Sequence, residues 1–336
     1  MSSRAVLLLC AWLGAMPLAH AGAAASGGRV TLGVVNWIGY GPIYCAATNG
    51  DYRRYGPEVK LVTFSDNSLM SGALAGGELN ASTLTYDQVL IADARGWNLK
   101  VVMPVDYSVG GDAILASQAV RSVSQLKGRR VAFQPLSPSD FLLAYALGSA
   151  GLTEKDIRPI NATPEEVPGV LASGAVDAGV TYEPSVSMIL KLGDGRRFHV
   201  LLSSREARGM ITDVLAVTAT TIATRPEIVE QLIRGTLDGL AFMTREPDKA
   251  AVLIAHTLGI TPEEVKRQLP NIENPPLARA ADVFRAGAAL PSFHASGAVI
   301  GRVLAQQGQI RQLPPIASTY DARFIESLQS RAGVSR

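Results

Sequence analysis

The chain has 336 residues, of which 47% are hydrophobic and 18% charged, enough apolar material for one large or two ordinary domains. A formal net charge of +2 leaves no basic excess for nucleic acid or an anionic membrane surface as the main partner. Two cysteines, Cys10 and Cys45, exclude a disulfide-stapled scaffold.

Residues 1–4 are a short basic start, and 5–18 an apolar stretch broken by Gly14 and Pro17. Ala19-His20-Ala21 then offers small residues at the two positions a signal peptidase reads, so a signal peptide is expected over 1–21, with export to the periplasm. A membrane anchor needs about 20 unbroken apolar residues. Leu9 before Cys10 speaks against a lipoprotein. After cleavage Cys45 is the only thiol, and its neighbours Ile43, Tyr44, Ala46 and Ala47 predict a buried, inert place on a helix.

The β-branched alternation at 29–35 predicts a strand, followed by a turn-rich loop at 36–42 and a helix at 43–49. Strands are expected at 59–64, 79–85 and 99–105, with helices at 67–75 and 86–94. The run at 99–105 is continuously apolar, as in parallel sheets covered on both faces. This alternation predicts an α/β lobe. Asp106-Tyr-Ser-Val-Gly-Gly-Asp112 then reads as a loop opening a strand, 113–116, that leaves for a second lobe.

The pattern restarts there. A short helix is expected at 123–127, strands at 130–134, 157–161, 175–181 and 199–202, and helices at 141–150, 165–172 and 185–191. A return crossover lies near Asp213-Val-Leu-Ala-Val217. Helices follow near 226–245, 247–257, 262–268, 278–287 and 297–307, several opened by proline. The expected organisation is lobe 1 from 29–112 and 213–313, lobe 2 from 113–212, and a tail at 314–336 packed on lobe 1 or partly disordered. Leu74-Ala-Gly-Gly-Glu-Leu-Asn-Ala81 echoes Leu171-Ala-Ser-Gly-Ala-Val-Asp-Ala178, and each leads to a Thr-Tyr-acid triplet, Thr85-Tyr86-Asp87 and Thr181-Tyr182-Glu183. Ligands of open α/β sheets bind outside strand C-terminal ends, so two such lobes present similar rims to one cleft.

These features resemble the nitrate/sulfonate/taurine family of periplasmic solute-binding proteins, which also includes binding proteins for thiamine-pyrimidine precursors. The matching residues are Trp37-Ile-Gly-Tyr-Gly-Pro42, the paired helix-Gly-Asn/Asp-Ala segments, Asp106 with Gly110-Gly111-Asp112, Ser122-Val-Ser-Gln-Leu-Lys-Gly-Arg-Arg-Val-Ala132, Glu183-Pro184 and Asp213-Val-Leu215, in order over about 29–260. The resemblance implies the two-lobed type II periplasmic binding protein fold, with two crossover strands as a hinge. It also implies delivery of a solute to the permease and ATPase of an ABC importer.

The candidate ligand contacts are Trp37, Tyr40, Asp106, Gly111, Asp112, Ser137, Ser139, Tyr182, Glu183 and Asp213. Trp37 and Tyr40 offer rings to a flat or compact solute, or pack their own loop. Ser137 and Ser139 cap a helix, with or without a ligand on its free N–H groups. Asp87, Asp106, Asp112, Glu183 and Asp213 all fall at strand ends or hinges, with few basic residues near. Such a rim suits an amine, amidine or N–H-rich heterocycle better than bare nitrate or sulfonate; alternatively these acids cap helices and pair locally, the expectation for Asp87. Scattered His199, His256 and His294 form no catalytic or metal motif. The fold family includes a pyrimidine synthase relying on a cysteine-rich motif that this chain lacks. The expectation is therefore a monomeric receptor for a small nitrogen- or sulfur-containing solute, with no cofactor, metal or catalysis. The alternatives are a receptor for a thiamine-pyrimidine precursor or other nitrogen-rich heterocycle, and a periplasmic sensor partner.

Overall fold

The computed structural model describes residues 28–287 and 289–333; the expected signal peptide lies outside them. Eleven strands among the described residues form two sheets. In chain order they are β1 (Arg29–Val34), β2 (Glu58–Thr63), β3 (Ala81–Thr85), β4 (Leu99–Ser108), β5 (Asp112–Ser117), β6 (Arg130–Phe133), β7 (Arg158–Asn161), β8 (Ala178–Tyr182), β9 (Phe198–Ser203), β10 (Thr212–Thr218) and β11 (Ile272–Glu273). The first sheet has the order β11-β4-β10-β3-β1-β2, and the second β7-β6-β8-β5-β9. This is the two-lobed mixed α/β architecture expected from the resemblance.

Each sheet follows one plan. Three strands run parallel, β2, β1 and β3 in the first and β7, β6 and β8 in the second, and a strand arriving by crossover adds antiparallel to the third. The arriving strands are β10 and β5. The repeated sequence segments feed β3 and β8, the strands on which the crossover strands lie.

The crossovers are short. β4 passes to β5 through Val109-Gly110-Gly111, and β9 returns to β10 through residues 204–211. Gly110 has φ +130°, a conformation open to glycine and rarely to other residues. Ser204 ties the two passes together. Its hydroxyl meets that of Ser108 at 2.7 Å and accepts the Gly110 N–H at 2.8 Å.

β5 is buried on both faces, and its side chains alternate between two cores. Ile114 and Ala116 join the large cluster that runs into the first lobe. Ala113 and Leu115 join a smaller one with Val167, Leu171 and Ile189 on the far face. Cys45 is fully buried on the helix Gly41–Asn49, and burial pushes its thiol up to about 12.

The C-terminal part departs from the expected helices. The segment 278–287 breaks into a short helix Leu277–Ala280 and a 3-10 turn Asp282–Phe284, which brings Phe284 against Phe293 and Tyr320 at centroid distances of 5.7 and 5.0 Å. Aromatic packing overrides helical propensity there. The next helix, Phe293–Gln306, starts earlier than expected because Ser292 accepts the His294 N–H. The tail runs beside β4, where Val101 exchanges backbone bonds with Thr319 and Asp321, and then forms the helix Arg323–Arg331.

Candidate functional site

The loop after β1 forms one wall of the cleft. Trp37 precedes a 3-10 turn, Ile38–Tyr40, and Pro42 lies in the first turn of the following helix, where a missing N–H costs nothing. The indole Nε1–H donates to both oxygens of Asp106, at 3.2 and 3.1 Å. The Tyr40 hydroxyl donates to Asp213 Oδ1 at 2.5 Å. Gly39 makes room for this arrangement, since a Cβ there would lie 2.3 Å from Asp106 Oδ2. Asp106 and Asp213 are direct partners in the antiparallel register of β4 and β10.

The opposite wall comes from the second lobe. Asp112 opens β5 and pairs with Tyr182 at the end of β8. The Tyr182 ring meets Trp37 edge-on at 5.5 Å, and its hydroxyl accepts from Asn67 Nδ2 at 3.0 Å. Asn67 Nδ2 also donates to Gln134 Oε1 at 3.0 Å, and Gln134 Nε2 reaches Asp66 Oδ1 at 2.9 Å. Gln88 Nε2 donates to the Asn67 carbonyl at 3.1 Å. First-lobe residues are thus latched to second-lobe residues directly over the cleft.

Beneath the latch is a small cavity lined from both sides. As the lobes meet here, it has room for about one water at most. The first lobe contributes Val35, Trp37, Tyr40, Asn67, Thr83, Thr85 and Gln88; the second contributes Asp112, Pro138 and Tyr182; the return crossover contributes Ile211 and Asp213. A larger, more open hollow of about 940 Å³ lies by Tyr107, Arg208 and Glu273. It holds none of the expected ligand contacts, and its ions Arg208, Glu273 and Arg279 already pair with one another.

Burial dominates the electrostatics. Asp106 and Asp213 are 0% and 4% exposed, and burial holds both carboxyls well above the usual range, with the charge of Asp112 adding to the rise at Asp106 and that of Asp106 to the rise at Asp213. Two facing carboxylates in a dry site cannot both ionise cheaply, so the pair retains a proton. Asp112 is pushed up to about 7 by burial, with Asp87 and Glu183 adding to the rise and a bond from Ser108 opposing it. Its Oδ2 is buried without a partner. Asp87 rises to about 6 through burial.

The expected contacts are therefore placed unequally. Trp37, Tyr40, Asp112, Tyr182 and Asp213 line the cavity, with Asp106 directly behind Trp37. Gly111 backs the indole, where a Cβ would sit 2.5 Å from the ring. Ser137 caps its helix by accepting the Ser139 N–H, while the Ser139 hydroxyl is buried and unpartnered beside Pro138. Glu183 lies outside the lining and turns to its own helix, accepting from Ser187 N and Oγ at 3.0 and 2.9 Å. Asn67, Thr83, Thr85, Gln88 and Gln134 were not expected. Thr85 ends β3, as the triplet reading implies, but the side-chain amides carried no signal beyond a place near strand ends.

Residues 37–250 match the family model described as NMT1/THI5 like. An Escherichia coli K12 protein named for binding aliphatic sulfonates is 33% identical over 148 residues, covering 43% of this chain and 46% of that one. The riboflavin-binding protein RibY of Chloroflexus aurantiacus is 26% identical over 226 residues, covering 63% and 61%. In three dimensions the chain is similar to the periplasmic aliphatic sulphonate binding protein SsuA of E. coli, with a TM-score of 0.70, 20% identity, and coverage of 87% and 92%.

Proposed function

The chain belongs to the NMT1/THI5-like family, and from that footing we propose that it is the extracytoplasmic solute-binding component of an ABC importer, capturing a small organic solute by lobe closure. The observation that carries this reading is Asn67: one first-lobe amide donates to both Gln134 and Tyr182 of the second lobe, above a cavity walled by both. Such contacts exist only when the lobes meet. A solute touching both walls binds the closed form better and shifts the hinge equilibrium toward it.

The hinge in this reading is the pair of crossovers at 109–111 and 204–211, so the lobes divide near Asp112 and Asp213. Ser204 keeps the two passes together while Gly110 turns. The receptor acts as a monomer in the periplasm, reached through the signal peptide at 1–21, and hands its solute to a permease and ATPase. No helix among the described residues is long and apolar enough to cross a membrane. The relatives named for sulfonate and riboflavin binding support capture of a small solute, and with it a receptor in place of an enzyme.

Uptake tests the reading. Deleting the gene for this chain and the gene for its partner permease in turn should abolish accumulation of the same labelled solute. Loss of uptake for the permease strain alone would reject the receptor role.

A further inference from the structure

The donors in the cavity lining are already engaged by the protein, and the unpartnered hydroxyls of Ser139 and Thr212 sit beside lining residues Pro138 and Asp213 without belonging to the lining, whereas an acceptor within it is left open. Trp37 Nε1 is bound to Asp106, the Tyr40 hydroxyl to Asp213, Asn67 Nδ2 to Gln134 and Tyr182, and Gln88 Nε2 to the Asn67 carbonyl. The two helix N-termini at the cleft are occupied as well. Asp87 accepts N–H groups of its own first turn, and Asp140 and Ser137 accept those of Leu136 and Ser139. A sulfonate or nitrate needs just such free donors. In contrast, Asp112 Oδ2 is buried and has no partner. The only charged side chains in the lining are Asp112 and Asp213, and three aromatic rings stand around them.

We infer that the cavity takes a small organic cation bearing N–H donors, an ammonium, amidinium or protonated amino-heterocycle, held on Asp112 and Asp213 and enclosed by Trp37, Tyr40 and Tyr182. The assignment rests on the receptor reading above. The carboxylates supply the acceptors that the N–H groups need, and the ring faces attract the positive charge once water is excluded.

Capture is proton-linked. The groups that act on Asp112 are Asp87 and Glu183, with Asp106 and Asp213 across the cavity and Tyr182 as its strand partner. None of these is a cation. Arg205, in the nearby crossover, is exposed and gives its guanidinium to Asn271, and Lys191 beside Glu183 pairs with Glu264. Asp112 is lifted to about 7, so the empty site holds a proton that an entering cation displaces.

The test uses the whole mature protein, with thermal shift and calorimetry in phosphate buffer. The cationic probes are benzamidinium, 4-aminopyridinium and propylammonium; the anionic probes are ethanesulfonate, taurine and nitrate. At least one cation should raise Tm in proportion to its concentration at pH 8, and no anion should. The cation Kd should weaken about tenfold from pH 8 to pH 6, as Asp112 is protonated. Asp112→Asn keeps the side-chain shape and should weaken the cation at least tenfold with an unchanged circular dichroism spectrum. Stabilisation by anions and not by cations overturns the ligand assignment while leaving the receptor reading intact. Equal cation affinity in Asp112→Asn also overturns the assignment. No stabilisation by either series, together with an unchanged lobe separation, overturns both readings.

Discussion

Asp213 faces Asp106 across β4 and β10, and each carboxylate accepts a hydrogen bond from an aromatic residue of the loop after β1: Tyr40 for Asp213 and Trp37 for Asp106. The return crossover is thereby tied to the first strand of the chain. The two strongest constraints on the cleft, a buried acid pair and a buried indole, are one unit. Removing the indole donor with Trp37→Phe leaves buried Asp106 with only Asp213 beside it, at a cost of about 1–3 kcal/mol. The urea midpoint of that variant should fall, with a larger fall at pH 8 than at pH 5.

The unliganded protein should lose stability as pH rises. Asp112, Asp140 and Asp87 are raised to about 7, 7 and 6, all above the usual carboxylate range, so the folded state holds more protons than the unfolded one across that interval. Their effect on stability is most favourable near pH 4 and declines as pH climbs through 6 and 7. Differential scanning calorimetry between pH 5 and pH 8 should show a falling Tm. A Tm that rises across this window contradicts the buried, partly protonated site.

The latch has its own signature. Asn67→Ala deletes the side-chain donor shared by Gln134 and Tyr182, so the Tyr182 hydroxyl loses it outright while Gln134 Oε1 keeps only the backbone N–H of residue 67. The closed form should lose about 1–2 kcal/mol, so solute affinity should drop roughly tenfold through faster release. Stopped-flow dissociation checks this. An unchanged off-rate means closure does not depend on Asn67.

A second clasp lies farther out. Gln307 and Gln309 donate to the two oxygens of Asp140, at 2.7 and 2.8 Å, so the C-terminal segment bonds to the second lobe. In Gln307→Ala combined with Gln309→Ala, Asp140 loses both donors while burial and Glu154 still act against its charge. The double variant should lose about 1–3 kcal/mol in urea at pH 8 and much less at pH 5, where Asp140 is neutral.

Gly111 is a packing requirement. A Cβ there would stand 2.5 Å from the Trp37 ring and 2.8 Å from Ile272 Cδ1, so the indole, held by Asp106, has to shift. Gly111→Ala should cost about 1–3 kcal/mol and displace the indole. Tryptophan fluorescence should shift red in the folded variant.

What the sequence disclosed follows from local physics. The β-α alternation and the restart after Gly110-Gly111 are one-dimensional signals, and they foretell two sheets joined by crossovers. Strand ends marked all five for the cavity: Trp37, Tyr40 and Tyr182 follow or close parallel strands at their C-terminal ends, and Asp112 and Asp213 open antiparallel crossover strands that start at the same edge. Glu183 shares that position in sequence, yet its carboxylate meets the Ser187 N–H one helical turn on, a choice of rotamer that no spacing encodes. Asn67 and Gln134 were illegible for another reason. Their importance lies in contact with each other across 67 positions, and an amide in a loop looks the same whether or not it has a partner. The C-terminal helices went astray at 278–287 because Phe284 is drawn to Phe293 and Tyr320, residues met only in three dimensions.

The central claim, that the halves move about the crossovers and meet over a solute, is tested most directly by a spin-label distance between them. Leu69 in the first lobe and Met188 in the second are both exposed, and cysteines at these sites in a Cys45→Ala background can be labelled without touching the cavity. Pulsed dipolar spectroscopy should show a broad separation without solute that collapses to one short distance with a saturating binder. A single distance, unchanged by a ligand that calorimetry shows to be bound, would contradict the account.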